Sequence, residues 1–470
     1  MMKLVNLIFG VAVLATLMLS NSACKKKNPF GNGNLGFSTD TLVFDTVFTT
    51  IGSTTKYFKI YNPQNKALKI SEVQLMGGTN SPFKLNLDGI KGVSFSDLEL
   101  SSGDSLFCFV EVKLGVNGQN LPLIVEDSVR FRTNGEDQYV KLAVWGQDMY
   151  YHYSNTGMGI FDLNEGTWPN DKPHVIYGSA IVDSAKTLNI IGGTHIYLHK
   201  NSMLWNYKGT LNIDGEYTNK VTIQGDRLEA SYNNVSGQYY GVYYHEARPS
   251  VIDNVVIKNA TAGLHITSRD QAYSQNTVTI SNVEILNAAS YGLFLFNGPK
   301  VYGENVLVHS SGVHSLLVLQ GADFTFNHCD FLGYGSGEGS YPAVGISNYY
   351  SNSQGTFVSQ IPNANFNNCV IYGSNGEHLA IDTIQTGGLT LNFHFRSSVI
   401  LKSNLTNPMF TSCNNTNPQF INPNQDNFKF YSSSSLNNQG NPAYITQSGL
   451  DILGVPRNPV TPDIGVYELN

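Results

Sequence analysis

The stretch 277-TVTISNVEILNAASYGLFLF-296 decides how this chain is read. A close variant begins at Ser250, SVIDNVVIKNATAGLHIT, and another at Lys300, KVYGENVLVHSSGVHSLLVL. Each runs as a short apolar strand, an Asn, a second apolar strand, a turn and a third strand. Aligned on the residue after the Asn or its equivalent, the copies place Val255, Val283, Val306, Cys329, Cys369 and Ser398 in one file, with spacings of 28, 23, 23, 40 and 29. Two positions on stand Ile257, Ile285, Val308, Phe331, Ile371 and Ile400. Three strands of four to six residues plus three turns need roughly 20–25 residues, and each such coil climbs about 4.8 Å. The pattern predicts a right-handed parallel β-helix with three strands per coil. The longer spacings are absorbed by loops at Ser268–Asn276 and Gly333–Asn363. A leucine-rich repeat would need a helix or its equivalent in each copy, and no segment has helical periodicity.

Repetition follows from burial, because one coil cannot hide its own apolar side chains and a stack can. The inward residues of the later strand are expected to be Leu264/Ile266, Leu293/Leu295, Leu316/Val318, Val344/Ile346 and Leu379/Ile381. Asn254, Asn282, Asn305 and Asn368 form a file at a turn, where stacked amides can bond coil to coil. Cys329 and Cys369 replace Val at inward positions and are expected as buried thiols.

Ahead of the repeats, residues 35–148 read as short alternating strands: TLVFDTVF, YFKIYN, ALKISEVQL, LFCFVEVKL, DSVRFRT and YVKLAVWG. They predict an antiparallel β-sandwich with turns at Asn62-Pro63 and Asn134-Gly135. The fold class is thus all-β, a sandwich followed by a β-helix over residues 149–435, with a closing segment at 436–470. In pattern the sandwich resembles the immunoglobulin-like modules that precede repeat domains in bacterial surface proteins.

The chain of 470 residues carries 41% hydrophobic and only 13% charged residues, with a formal net charge of −7. Phosphate binding needs clustered Lys and Arg, so nucleic acid is not an expected partner. Lys3, the apolar run Leu4–Leu19 and the small residues before Cys24 read as an export signal over residues 1–23. Ser20-Asn21-Ser22-Ala23-Cys24 resembles a bacterial lipobox, with Asn21 where a Leu-like residue is usual. That resemblance implies diacylglycerol on Cys24, with 24–34 as a polar tether; simple cleavage after Ala23 is the competing reading. No CxxC is present and metal ligation is not expected. Walker, Rossmann, HExxH and GxSxG motifs are absent, and no cofactor is implied.

The early segments TLNI, GGTHIYLH, GTLNIDG and KVTIQGDR, with the terminal 451-DILGVPRNPVTPDIGVYE-468, resemble right-handed parallel β-helix lipoproteins of Gram-negative bacteria. The resemblance spans nearly the whole chain after the signal and implies an outer-membrane location, periplasmic or surface-exposed. The broader pectate-lyase-like architecture also includes polysaccharide-degrading enzymes. The NTD, DD, GHG and RIK strings of β-helix polygalacturonases are missing here.

Candidate chemistry lies in two places. On the strand after the Asn file, Glu284 and Asp330 point outward two coils apart, roughly 10 Å, near the upper spacing of an inverting carboxylate pair. In the early coils His195, Tyr197 and His199 share one face of a strand. QGDRLEASY adds Asp226, Arg227 and Glu229, and GVYYHEAR adds His245, Glu246 and Arg248. A His with a carboxylate can act as general base and an Arg can hold a uronate. The plainer alternative is a solvated face on which Arg227 pins a turn through an acid. Tyr240 and Tyr244 could stack on sugar rings. The sequence therefore predicts a monomeric, lipid-anchored envelope protein whose β-helix presents a surface to polysaccharide or protein. The enzymatic alternative is a polysaccharide lyase or glycoside hydrolase on the early coils.

Overall fold

The computed structural model describes residues 30–116, 118, 123–154, 159–268, 275–334 and 341–469. The predicted signal and Cys24 lie outside these. The chain divides between Gln147 and Asp148 into two compact units.

The first unit is a sandwich of two five-stranded sheets. One sheet runs Gly36–Phe37, Lys56–Tyr61, Ser105–Val112, Phe83–Leu87, Ile90–Gly92 in spatial order; the other runs Thr41–Phe48, Glu136–Gln147, Leu123–Thr133, Leu68–Leu75, Ser94–Leu100. Alternation buries one side of each strand, so Phe58, Ile60, Phe83, Leu85, Cys108, Val110, Val129, Phe131, Val140 and Val144 fill the space between the sheets. Neighbouring strands are antiparallel except Thr41–Phe48, which pairs parallel with Glu136–Gln147. Asn134 and Gly135 both adopt positive φ (57° and 85°) in the two-residue turn joining Leu123–Thr133 to Glu136–Gln147, the backbone a tight hairpin requires. Asn62 holds its own turn: its amide donates to Lys66, Leu100 and Ser101 carbonyls while its Oδ1 accepts from Gln64 N. Residues 30–34 of the predicted tether lie against this unit, with Gly31 N donating to Ala67 O and Asn134 donating to Gly33 O.

The second unit is the right-handed parallel β-helix. Val283 pairs with Val306, Leu307 with Asp330, Asp330 with Val370 and Val370 with Val399. That is the register the spacings predict. On the second sheet Leu264, Leu293, Leu316, Val344 and Leu379 succeed one another, as do Ile266, Leu295, Val318, Ile346 and Ile381. Like stacks on like in one continuous core, and each fully buried Leu, Ile or Val contributes roughly 1.5–3 kcal/mol. Cys329 and Cys369 sit in that core as free thiols.

From Ser250 onward, two strands of each coil meet at a residue in the left-handed region: Asn254, Asn282, Asn305, His328, Asn368 and Ser397, with φ between 48° and 55°. Asn tolerates this conformation better than other side chains, and its amide then links coils. Asn282 donates to Asp253 (2.8 Å), Asn305 to Asn282 (2.9 Å) and Asn368 to His328 Nε2 (2.9 Å). The predicted loop at Gly333–Asn363 contains a hairpin, Tyr349–Asn352 with Gly355–Val358.

Coil pairing ends near Phe410–Thr411 and Asn414. The chain then folds back along the side of the stack. Phe420, Phe428, Phe430, Leu436, Ile452, Ile464 and Val466 pack on Leu307, Leu332, Val370, Tyr372 and Val399, the outward residues of the late coils. The charged letters of the terminal motif hold this cover down. Arg457 is buried, donating to Asn305 Oδ1 (2.8 Å) and Gly465 O (2.9 Å) beside Glu468 (3.5 Å). Asn305 also donates to Leu450 O, and Asn368 exchanges bonds with Asn441. Asp451 caps Leu453, Val455 and Glu468 amides. The conspicuous acids and Arg of the C-terminus are thus fastenings between the cover and the Asn file.

Candidate functional site on the early coils

The outward side of the stack bearing Tyr150–Tyr153, His174–Tyr177, His195–Leu198 and Val221–Gly225 is where the candidate residues meet. Tyr153 is paired with Tyr177. One residue beyond the paired Ile176 and Leu198 come Tyr177 and His199, and one beyond the paired Leu198 and Gly225 come His199 and Asp226. Tyr153, Tyr177, His199 and Asp226 therefore form one outward column across four coils, about 14 Å from end to end. The Tyr177 and His199 rings stack at 4.0 Å, nearly parallel. His199 Nδ1 lies 2.7 Å from Asp226 Oδ2. A carboxylate only accepts, so Nδ1 carries a proton, and in the neutral imidazole the lone pair falls on Nε2. Among the described residues that Nε2 has no hydrogen-bond partner, and the side chain is 44% exposed. Burial, then the Asp226 charge, raises the Tyr177 pKa, so it stays a neutral phenol. Tyr151 stacks on Tyr153 at 4.6 Å and meets Tyr177 edge-on at 5.3 Å; Tyr151 and Tyr153 are 38% and 49% exposed.

His195 and Tyr197 share this face. His195 bonds Thr222 on the next coil (2.6 Å), and burial lowers its pKa. Arg227 is adjacent in sequence but committed elsewhere: its guanidinium makes a 2.9 Å bond to Glu229 and lies 3.9 Å from the Tyr232 ring centroid. It pins a turn and does not reach into the column as a free cation.

The remaining candidates do not join this site. His245 and Glu246 come from Gly241–His245 and the turn after it, and that strand belongs to the other sheet, paired with Met203–Tyr207 and Ala262–Thr267. Successive strands of a coil face different directions, so likeness of composition did not bring them together. Glu246 instead pairs with Lys208 at 3.1 Å. His245 belongs to an aromatic file with Trp205 and Tyr243 that continues through His265 to Phe294. Tyr240 borders this file, donating to or accepting from His265 Nδ1 at 2.8 Å. Tyr244 is fully buried, its hydroxyl donating to Leu211 O, because alternation turns it inward; it cannot meet a ligand. Asp330 is buried beneath the C-terminal segment and accepts from Val466 N, and burial pushes its pKa up to about 8. Glu284 faces His309 at 3.2 Å. Glu284 and Asp330 thus form no open pair, because Asp330 lies beneath the cover that the outward apolar residues require.

Sequence reading missed Tyr151, Tyr153 and Tyr177. The signal was present: Tyr177 stands 22 residues before His199, one coil spacing, but the earliest coils lack the Asn that marks the register elsewhere.

No protein-family model and no curated protein matches the chain. Among solved structures, the catalytic unit of a thermostable GH87 alpha-1,3-glucanase from Streptomyces thermodiastaticus strain HF3-3 aligns over 72% of this chain and 70% of its own, at 11% identity and a TM-score of 0.26. A family 123 glycoside hydrolase from Clostridium perfringens covers 26% of this chain and 30% of its own, at 7% identity and a TM-score of 0.18. The Vibrio cholerae VesB protease covers 24% and 31%, at 13% identity and a TM-score of 0.18. Likenesses this slight leave the site to be read from its own residues.

Proposed function

We propose that the protein binds carbohydrate on the open face of its early coils, held at the cell envelope by a lipid on Cys24. The observation that carries the binding reading is the column Tyr153–Tyr177–His199–Asp226, with Tyr151 beside it. Half-exposed tyrosines offer apolar ring surface to the C–H face of a sugar, and their hydroxyls, with the imidazole and carboxylate, exchange hydrogen bonds with vicinal hydroxyls. A glycan array with the full chain tests this. Selective binding that falls at least about tenfold in Tyr153→Ala and His199→Ala supports the reading; binding to no glycan, or binding indifferent to both changes, contradicts it. The mass of the N-terminal peptide tests the anchor, since acylation at Cys24 adds a diacylglycerol.

A second reading, polysaccharide lyase or glycoside hydrolase, is favoured by the Nε2 lone pair that the Asp226 bond leaves on His199, the state a general base needs. Ultraviolet absorbance of an unsaturated uronate product, or release of reducing ends, lost in His199→Ala, would establish it. Binding without turnover leaves the first.

A further inference from the structure

We propose a second carbohydrate site, for glycans bearing carboxylates, on the outer face of the β-sandwich. It is independent of the early-coil column. The sheet Lys56–Tyr61, Ser105–Val112, Phe83–Leu87, Ile90–Gly92 buries Phe58, Ile60, Cys108, Val110 and Leu85, and alternation turns their neighbours outward. Register sets those neighbours in transverse rows. Tyr57 pairs with Phe109, Phe109 with Asn86 and Asn86 with Lys91. On one side Glu111 pairs with Lys84; on the other Lys59 pairs with Phe107.

Three rings therefore stand together on a water-facing sheet. Tyr57, Phe107 and Phe109 are 55%, 37% and 36% exposed, with centroids 5.5–6.1 Å apart. Beside them lies a groove of about 560 Å³ lined by Thr55, Lys84, Asn86, Lys91, Phe109 and Glu111. Exposed aromatics continuous with a groove mark a binding surface rather than scattered surface apolarity. The polar lining selects the ligand. Among the described residues Lys84 and Lys91 form no ion pair; the Lys84 ammonium donates to Ser81 O at 3.3 Å, and both lysines line the groove. Lys59 stands over the Phe107 ring at 5.2 Å. The acids nearby are Glu111, whose carboxylate accepts from Thr55 Oγ1, and Asp88 at the hairpin turn. The side-chain oxygen of Asn86 is buried without a hydrogen-bond partner, and the groove it lines still has an acceptor to satisfy. Rings for the apolar face of a sugar, cations for its carboxylates and an amide for its hydroxyls describe an acidic polysaccharide, on a chain whose formal net charge is −7.

Affinity electrophoresis of the full chain at low salt, in gels containing polygalacturonate or neutral dextran, tests the site, with binding to phosphatidylglycerol vesicles measured in parallel. The expected result is retardation by polygalacturonate alone. The affinity should fall about tenfold in the Lys84→Glu/Lys91→Glu double variant and in Phe109→Ala, weaken with added salt, and persist in His199→Ala. All three substitutions are at solvent-facing positions, and an unchanged melting temperature confirms that folding is intact. The proposal is overturned by an unretarded wild type, by equal retardation in dextran, by retardation that the lysine and Phe109 variants leave unchanged, or by binding to the anionic vesicles alone.

Discussion

The same outward side of the β-helix is treated in two ways along its length. On the early coils it carries Tyr153, Tyr177, His199 and Asp226 and remains open. On the late coils the equivalent strands present Leu307, Leu332, Val370 and Val399, and residues from Phe420 onward lie across them. Backbone register is shared; only the outward letters differ. A polar column can stay in water, while an apolar one must be covered, and Asp330 is buried because its neighbours called for a cover. An acid on a repeat surface therefore has a meaning only once the residues stacked on it are known.

The contrast breaks most completely if the cover is released. Arg457→Ala removes the cation that faces Asn305, Gly465 and Glu468 in a buried setting. A loss of about 3–5 kcal/mol is expected, read by urea unfolding, together with new proteolytic cuts after Asn414. Next in size, Asn305→Ala should cost about 1–3 kcal/mol, since it removes bonds to Asn282 and Leu450 and leaves Arg457 short of an acceptor. Asn305→Gly should cost less, because glycine adopts the φ of 52° without strain. Equal losses in the two variants would show that the left-handed backbone is not part of the cost.

The legibility of the sequence divides along the same line. Val283, Val306, Leu295 and their counterparts announced the coils because burial imposes one chemistry at every repeat. The Asn file was legible because only a few residues accept its backbone. The cover was not, since Asp330 and Glu284 look like surface acids until Phe428 and Val466 are placed on their neighbours. His245 and Glu246 matched His199 in composition, but the strand count per coil puts them on another sheet. The Tyr177–His199–Asp226 column lay in coils with irregular spacing, so only its His199 and Asp226 end was read.

A smaller effect sharpens the boundary between the two regions. His309 is fully buried between Glu284 and Asp426 at 3.2 Å each, with Ser310 and the Phe428 ring completing its surroundings. Burial disfavours its charge, but the bonds to Asp426 and Glu284 outweigh that and raise its pKa above 6.5. Its contribution is therefore complete below about pH 6.5 and lost as pH rises through the higher folded value. The bond from His309 lowers the Asp426 pKa from 3.8, so that contribution is present above about pH 4 and lost on acidification through the lower folded value. The cover should be held most firmly between these limits and loosen at alkaline pH. Urea midpoints across pH should show the alkaline decline in wild type and a flatter profile in His309→Gln. The smallest stability change belongs to the open region: His199→Ala should shift unfolding by no more than about 0.5 kcal/mol while weakening glycan binding, which separates a ligand contact from a structural one.

Hydroxyl-radical footprinting of the intact chain, read residue by residue, tests the division most directly. The account predicts strong labelling of Tyr151, Tyr153 and His199 and protection of Leu332, Tyr372, Phe428 and Phe430. Comparable labelling of the two sets, or protection of the first and labelling of the second, would contradict it.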